Sequence, residues 1–215
     1  MDEIADDDPP GWYGKLSTVG DFVSRRLSPE FIRFVDDWLS LGMSAGREQL
    51  GEQWLEVYLN APVLQFAWAP GVYDAQWWFG VLMPSCDNVG RYFPLLIVQA
   101  RAQPPHDTAG LQRLEGWLEH LATAALQTLQ DHASIEALEA ELNEAAAEAR
   151  NGTVAIRGGA GISALAAQLQ GLAADSLATR LGGCSLWHSR SSAPGLQINQ
   201  GLPAASAFPR LLAGD

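Results

Sequence analysis

The sequence predicts an α+β domain in which a central, mostly antiparallel β-sheet is packed with helices. Three observations carry this. Phe79-Gly80-Val81-Leu82-Met83 and Leu95-Leu96-Ile97-Val98 are near-continuous apolar runs, as in strands covered on both faces. Two long stretches, near residues 31–39 and 111–125, repeat apolar residues at helical spacing. Several strand candidates are joined by short connections, which favours antiparallel pairing over a doubly wound sheet.

Each element has its own signal. Trp12 to Leu16 is a short strand candidate with aromatic residues at its start. Ser28-Pro29-Glu30 opens a helix, with Ser28 as N-cap and Pro29 in the first turn. Phe31, Phe34, Val35, Trp38 and Leu39 then form one apolar face. A second helix carries Trp54, Leu55, Tyr58 and Leu59 and ends before Pro62. Val63 to Ala69, Trp77 to Met83 and Phe93 to Ala100 are strands, the last two a hairpin in the middle of the sheet. In a strand, Trp77 and Trp78 point to opposite faces, so one of them is expected to be partly exposed.

From Leu111 to Arg150 alanine, leucine and glutamate dominate, and two helices broken near Ala133-Ser134 are expected. Asn151 to Gly161 reads as a loop and Ser163 to Leu181 as a further helix, so the Ala/Leu-rich helical segment spans about 109–181. Ser185-Leu186-Trp187-His188 and Leu196-Gln197-Ile198-Asn199 form a late hairpin across a Ser/Pro/Gly loop, and Leu202 to Ala213 closes with a short helix.

Composition sets the outer limits. The 215 residues fit one domain, residues 11–215, with an acidic, flexible tail over residues 1–10 that includes Asp2, Glu3, Asp6, Asp7 and Asp8. With 47% hydrophobic and 18% charged residues, the chain can build a full core. A formal net charge of −12 disfavours a nucleic-acid binder, which needs a basic surface, and docking on an anionic membrane. No run approaches the length of a membrane span. Cys86 and Cys184 make no Cys-x-x-Cys pair or disulfide framework, and the acidic N-terminus has no apolar signal-like run, so a cytoplasmic location is expected.

Candidate chemistry is sparse. Gly159-x-Gly161-x-x-Ala164 matches a dinucleotide fingerprint, but only three apolar residues precede it and no acidic residue sits at the ribose position, so a glycine-rich loop before a helix is the better reading and no cofactor is expected. His106, His120, His132 and His188 lie in no His-Glu-x-x-His arrangement, and His120 and His132 are expected to face solvent on alanine-rich helices. No metal site is expected. Cys86 has no histidine nearby in sequence and reads as a small half-buried apolar residue rather than a nucleophile.

The turn Ser85-Cys86-Asp87-Asn88-Val89-Gly90-Arg91 holds the densest set of polar groups. One reading is structural: Ser85, Asp87 and Asn88 cap turn amides and Gly90 supplies a positive φ. The other gathers Ser85, Asp87 and Arg91 with Lys15, Asp21, Arg25 and Arg26 at one sheet end, beside Trp12, Tyr13, Phe22 and Tyr92. Aromatics and arginine dominate binding hot spots, so such a cluster suits protein docking. A small hydrolase or phosphate-ligand site built on Ser85, Asp87 and Arg91 is the alternative, but Ser85 has no local base. No enzymatic activity is therefore expected.

Several separated motifs occur together in order: Gly14-Lys15-Leu16…Gly20-Asp21-Phe22, Trp38-Leu39, Trp54-Leu55-x-x-Tyr58-Leu59-x-x-Pro62, Gly80-Val81-Leu82-Met83-Pro84-Ser85-x-Asp87-x-x-Gly90-Arg91-x-Phe93-Pro94-Leu95, Ser185-Leu186-Trp187 and Gly201-Leu202-Pro203. In this the chain resembles the TagF (ImpM) family of type VI secretion-associated proteins. Ser17 stands where that family usually has Pro, and His188 where it often has a second Trp. The resemblance implies a cytoplasmic protein of Gram-negative bacteria with a longin- or profilin-like outline. It also implies a post-translational repressor of type VI secretion that binds the forkhead-associated component, Fha, in a pathway with a Thr kinase and phosphatase. Lys15, Asp21, Arg25, Ser85, Asp87 and Arg91 are the candidate partner-binding residues.

Overall fold

The computed structural model describes residues 8–105, 107–130, 133–151 (without the side chains of 149–151), 179–189 and 195–213. Residues 1–7 of the expected acidic tail, His106, His132, the glycine-rich fingerprint at 159–164, most of the loop and helix expected over 151–181, and the loop before Gly195 lie outside the described residues.

The strands are β1 (Gly11–Gly14), β2 (Val23–Arg25), β3 (Leu64–Trp68), β4 (Trp77–Met83), β5 (Leu95–Arg101), β6 (Cys184–Ser189) and β7 (Leu196–Gln200). They form one seven-stranded sheet in the order β2-β1-β5-β4-β3-β6-β7. Every neighbouring pair is antiparallel. β4 occupies the central position, where its uninterrupted apolar run belongs, and pairs with β5 from Trp77↔Arg101 to Met83↔Leu95. Two pairings are non-local: β1 on β5, with Tyr13 opposite Leu96, and β3 on β6, with Phe66 opposite Trp187.

Helices cover both faces. On one side lie α1 (Pro29–Leu50), α2 (Trp54–Asn60) and the C-terminal α5 (Phe208–Ala213); on the other lie α3 (Thr108–Gln127) and α4 (Ile135–Asn151). The alternation of each strand sorts its side chains between them. Trp12, Phe79, Val81, Ile97 and Leu186 join the α3/α4 core, and Tyr13, Phe66, Trp78, Leu82, Val98 and Trp187 join the α1/α2/α5 core. Trp77 and Trp78 do point opposite ways, but both are buried, because helices roof both faces; the expected exposure of one is corrected. Burial of one such large side chain contributes about 1.5–3 kcal/mol.

The helix boundaries have local causes. The Ser28 side chain accepts from the Phe31 amide at 3.1 Å, Pro29 sits in the first turn, and α1 stops at Gly51, where φ is positive. Phe31, Val35, Trp38, Leu39 and Met43 make its buried stripe. The Asp107 carboxylate accepts from the Gly110 amide at 2.6 Å and starts α3.

Three further features depart from the sequence reading. β2 has no counterpart in it: three residues with mixed polarity carry no alternation signal. The end of the expected tail is part of the fold, since Pro10 is buried and the Asp8 carbonyl accepts from Gln99 Nε2 at 2.6 Å. His120 does not face solvent. Its side chain is only 15% exposed and sits between α3 and α4 against two glutamates, an environment that spacing within α3 cannot reveal.

Candidate functional site

β1 leaves the sheet beside the entry to β5, so the segment after β1 meets the connection between β4 and β5. Gly14 makes the approach possible. Its φ is +144°, and a Cβ there would stand 2.2 Å from the Pro94 carbonyl oxygen. The chain therefore turns inward at Gly14, and Lys15 is delivered under the β4–β5 connection with only 4% of its surface exposed.

Asp87 lies at the centre of this meeting point. Its Oδ2 lies 2.6 Å from Lys15 Nζ and 2.7 Å from Arg91 Nε, while Oδ1 accepts from the amides of Arg91 at 2.8 Å and Val89 at 3.1 Å. The connection is a narrow loop. The Asp87 amide donates to Arg91 O, the Gly90 amide donates to Asp87 O, Gly90 has a φ of +82°, and Cys86 and Tyr92 form a β-bridge. Burial by itself would raise the Asp87 pKa. The Lys15 ammonium, the Arg91 amide and guanidinium and the Val89 amide outweigh it and hold the carboxyl well below its ordinary range.

Arg91 fastens this loop to the segment after β1. Its guanidinium also donates to the Gly20 carbonyl, and the Asn88 amide donates to Val19 O at 3.2 Å. Ser85 is held from both sides. Its Oγ donates to the Lys15 carbonyl at 2.8 Å, and its amide and carbonyl bond the Tyr58 hydroxyl at 3.0 and 2.9 Å. Burial pushes the Tyr58 phenol above its usual range. Phe22 lies over Lys15 Nζ, 4.9 Å from ring centre to nitrogen, and packs edge-on against Phe93.

The structure thus brings Lys15, Ser85, Asp87 and Arg91 together as a clasp between two loops. Lys15, Ser85 and Asp87 are buried within it, while the Arg91 side chain is 58% exposed. Asp21 sits at its margin, exposed, with its carboxylate on the Phe22 amide at 2.8 Å. Arg25 is apart: it is exposed on β2 and donates to the Ser24 carbonyl. Its neighbour Arg26 belongs to a second fastening, with a bidentate contact to Glu139 of α4 at 2.6 and 2.9 Å, where Trp12 Nε1 also donates to Glu139. The outward surface of the clasp is made of Thr18, Gly20, Asp21, Phe22, Asn88, Val89 and Arg91, with Phe22 43% and Val89 68% exposed.

Tyr58 is the member that sequence reasoning misses. Its place on an apolar helix face is legible from spacing, but a phenol inside a core also needs a hydrogen-bond partner, and that need is the available signal. The Ser85 hydroxyl is committed to a backbone carbonyl, and no histidine or free carboxylate among the described residues bonds it.

Known proteins share this architecture. Residues 11–145 match the family described as TagF N-terminal domain, type VI secretion system-associated. The crystal structure of PA0076 from Pseudomonas aeruginosa PAO1 is similar with a TM-score of 0.72 and 34% identity, over 96% of this chain and 94% of that one. No curated protein matches the sequence.

Proposed function

This chain belongs to the TagF family of type VI secretion-associated proteins, and from that premise we propose that it is a non-enzymatic, cytoplasmic repressor that acts after translation by binding the forkhead-associated component Fha. One observation carries the binding reading. The charged groups of the clasp satisfy one another inside the fold, and an aromatic, an aliphatic and an arginine side chain remain on its outer surface. Phe22, Val89 and Arg91, flanked by Asp21 and Asn88, make a mixed apolar and charged patch of the kind that carries binding hot spots. Lys15, Ser85 and Asp87 support that patch from beneath; Arg25, on the edge strand, is peripheral to it.

The hydrolase or phosphate-ligand alternative finds less support. A nucleophile needs a base within hydrogen-bond reach, whereas Ser85 Oγ donates to the Lys15 carbonyl and both Asp87 oxygens are already engaged. No described helix is long and apolar enough to cross a membrane.

The test is calorimetric titration of the chain against Fha from the same bacterium. Saturable binding is expected, weakened at least about tenfold by Val89→Asp at an unchanged melting temperature, as for a hot spot worth about 1.4 kcal/mol or more. Saturable binding unaffected by both Val89→Asp and Arg91→Ala would move the interface elsewhere. Absence of binding would overturn direct sequestration.

A further inference from the structure

The seam between α3 and α4 holds a second polar cluster. His120 of α3 faces α4 with both ring nitrogens engaged: Nδ1 lies 3.1 Å from a Glu148 carboxylate oxygen and Nε2 lies 3.2 Å from one of Glu141. Glu144 stands between those two glutamates along α4. Glu141, Glu144 and Glu148 succeed one another at steps of three and four, the spacing that aligns side chains on one helix face. One ligand atom each from His120, Glu141 and Glu144 lie within 4.8 Å of one another.

Two features of this cluster call for a cation. First, three carboxylates meet one imidazole, and among the described residues no lysine or arginine forms an ion pair with any of the three. Second, His120 presents its two ring nitrogens to two different glutamates of α4: Nε2 to Glu141, which belongs to the three-residue cluster, and Nδ1 to Glu148, which stands in the place of the outer carboxylate that orients a metal-ligating histidine.

We propose that His120, Glu141 and Glu144 form a binding site for a divalent transition-metal ion of the zinc class, with Glu148 as the positioning residue for the imidazole. An imidazole among carboxylates selects zinc-like ions over magnesium or calcium, which prefer all-oxygen shells. Bonds of about 2.0–2.2 Å set ligand atoms roughly 3–3.5 Å apart. His120 and Glu141 already stand at that separation, and Glu144, the exposed member, closes the set. Three protein ligands leave a fourth position for water. Glu141 also lines a neighbouring cleft of about 290 Å³ together with Gln127, Gln130 and Ser134. The ion would cross-link α3 to α4, an effect independent of the Fha reading.

The experiment uses the full chain, stripped with a chelator and titrated with Zn²⁺ by calorimetry, with melting curves and Co²⁺ absorption in parallel. One saturable site is expected, with a melting temperature that rises with added Zn²⁺ and Co²⁺ bands of low coordination number. His120→Gln should abolish it and Glu144→Gln should weaken it at least about tenfold. Because Glu144 is exposed, its variant keeps the fold, which an unchanged circular dichroism spectrum verifies. Glu148→Gln should weaken binding by about 10–100-fold without removing a ligand. No saturable uptake at submillimolar Zn²⁺ would overturn the proposal and leave His120 as a structural link between α3 and the two glutamates of α4. Uptake undiminished in both His120→Gln and Glu144→Gln would overturn it equally.

Discussion

The clasp and the α3/α4 seam are both clusters of ionisable side chains, yet they are built on opposite charge balances. In the clasp, one carboxylate meets two cations and two backbone amides, and the carboxylate and the lysine are buried. In the seam, three carboxylates meet one imidazole, and the side chains of Glu141 and Glu148 are 33% and 40% exposed. Burial explains the difference. A charge removed from water must find its counter-charge and hydrogen bonds within the protein. A half-exposed charge can leave part of its demand to solvent, so its site stays open to an ion from outside. The first arrangement suits a scaffold that holds a surface in place; the second suits a ligand site.

The largest effect that can break this comparison is Lys15→Met. Removing one partner of a buried pair leaves the other without compensation, and the expected loss is about 3–5 kcal/mol. Arg91 remains on Asp87 and keeps the loss toward the lower end. Thermal melts measure it, at roughly 2–4 °C per kcal/mol for a chain of this size. A loss below about 1 kcal/mol would make the pair behave as a surface salt bridge and end the contrast.

Acid titration sharpens the same point. The Asp87 pKa is lower in the folded protein than in the unfolded chain. Its contribution to stability is therefore complete above the ordinary carboxylate value, about 3.9, and is lost as the pH falls toward the folded value. Stability measured by denaturant titration should decline below about pH 4, and Asp87→Asn should make that decline shallower. Equal slopes in the two proteins would place the acid sensitivity in other carboxylates. Glu139, held below its ordinary value by Arg26 and Trp12 against the effect of burial, is the next contributor with the same sign.

Smaller effects are expected elsewhere. Glu139→Gln keeps an acceptor for Trp12 but weakens the contact to Arg26. The pair is part-exposed, with Arg26 at 31% and Glu139 at 24%, so solvent screening limits the loss to about 1 kcal/mol. Glu144→Gln without added metal should lie within about 0.5 kcal/mol of the wild type, with a slight gain from relieved repulsion. A clear loss in metal-free protein would show that Glu144 has a structural partner.

Much of the architecture is legible in the residues alone. The Ser28-Pro29 start of α1, the apolar stripes of α1 and α3, the central β4–β5 hairpin and the late β6–β7 hairpin are each recorded in a local pattern, because periodicity reports which face an element buries. The crowded turn from Ser85 to Arg91 is visible for the same reason: turn chemistry is local. The tertiary structure alone decides the partners. Lys15 and Arg25 look alike as basic residues near the start of the chain. Pairing of β1 with β5 and the turn at Gly14 bury one of them against Asp87, while the edge position of β2 leaves the other in water. Tyr58 meets Ser85, and His120 meets Glu141 and Glu148, across 27, 21 and 28 residues of chain, through helix packing that no local pattern encodes. A sequence states which side chains need burial or a counter-charge; only the closed fold determines which of those needs meet.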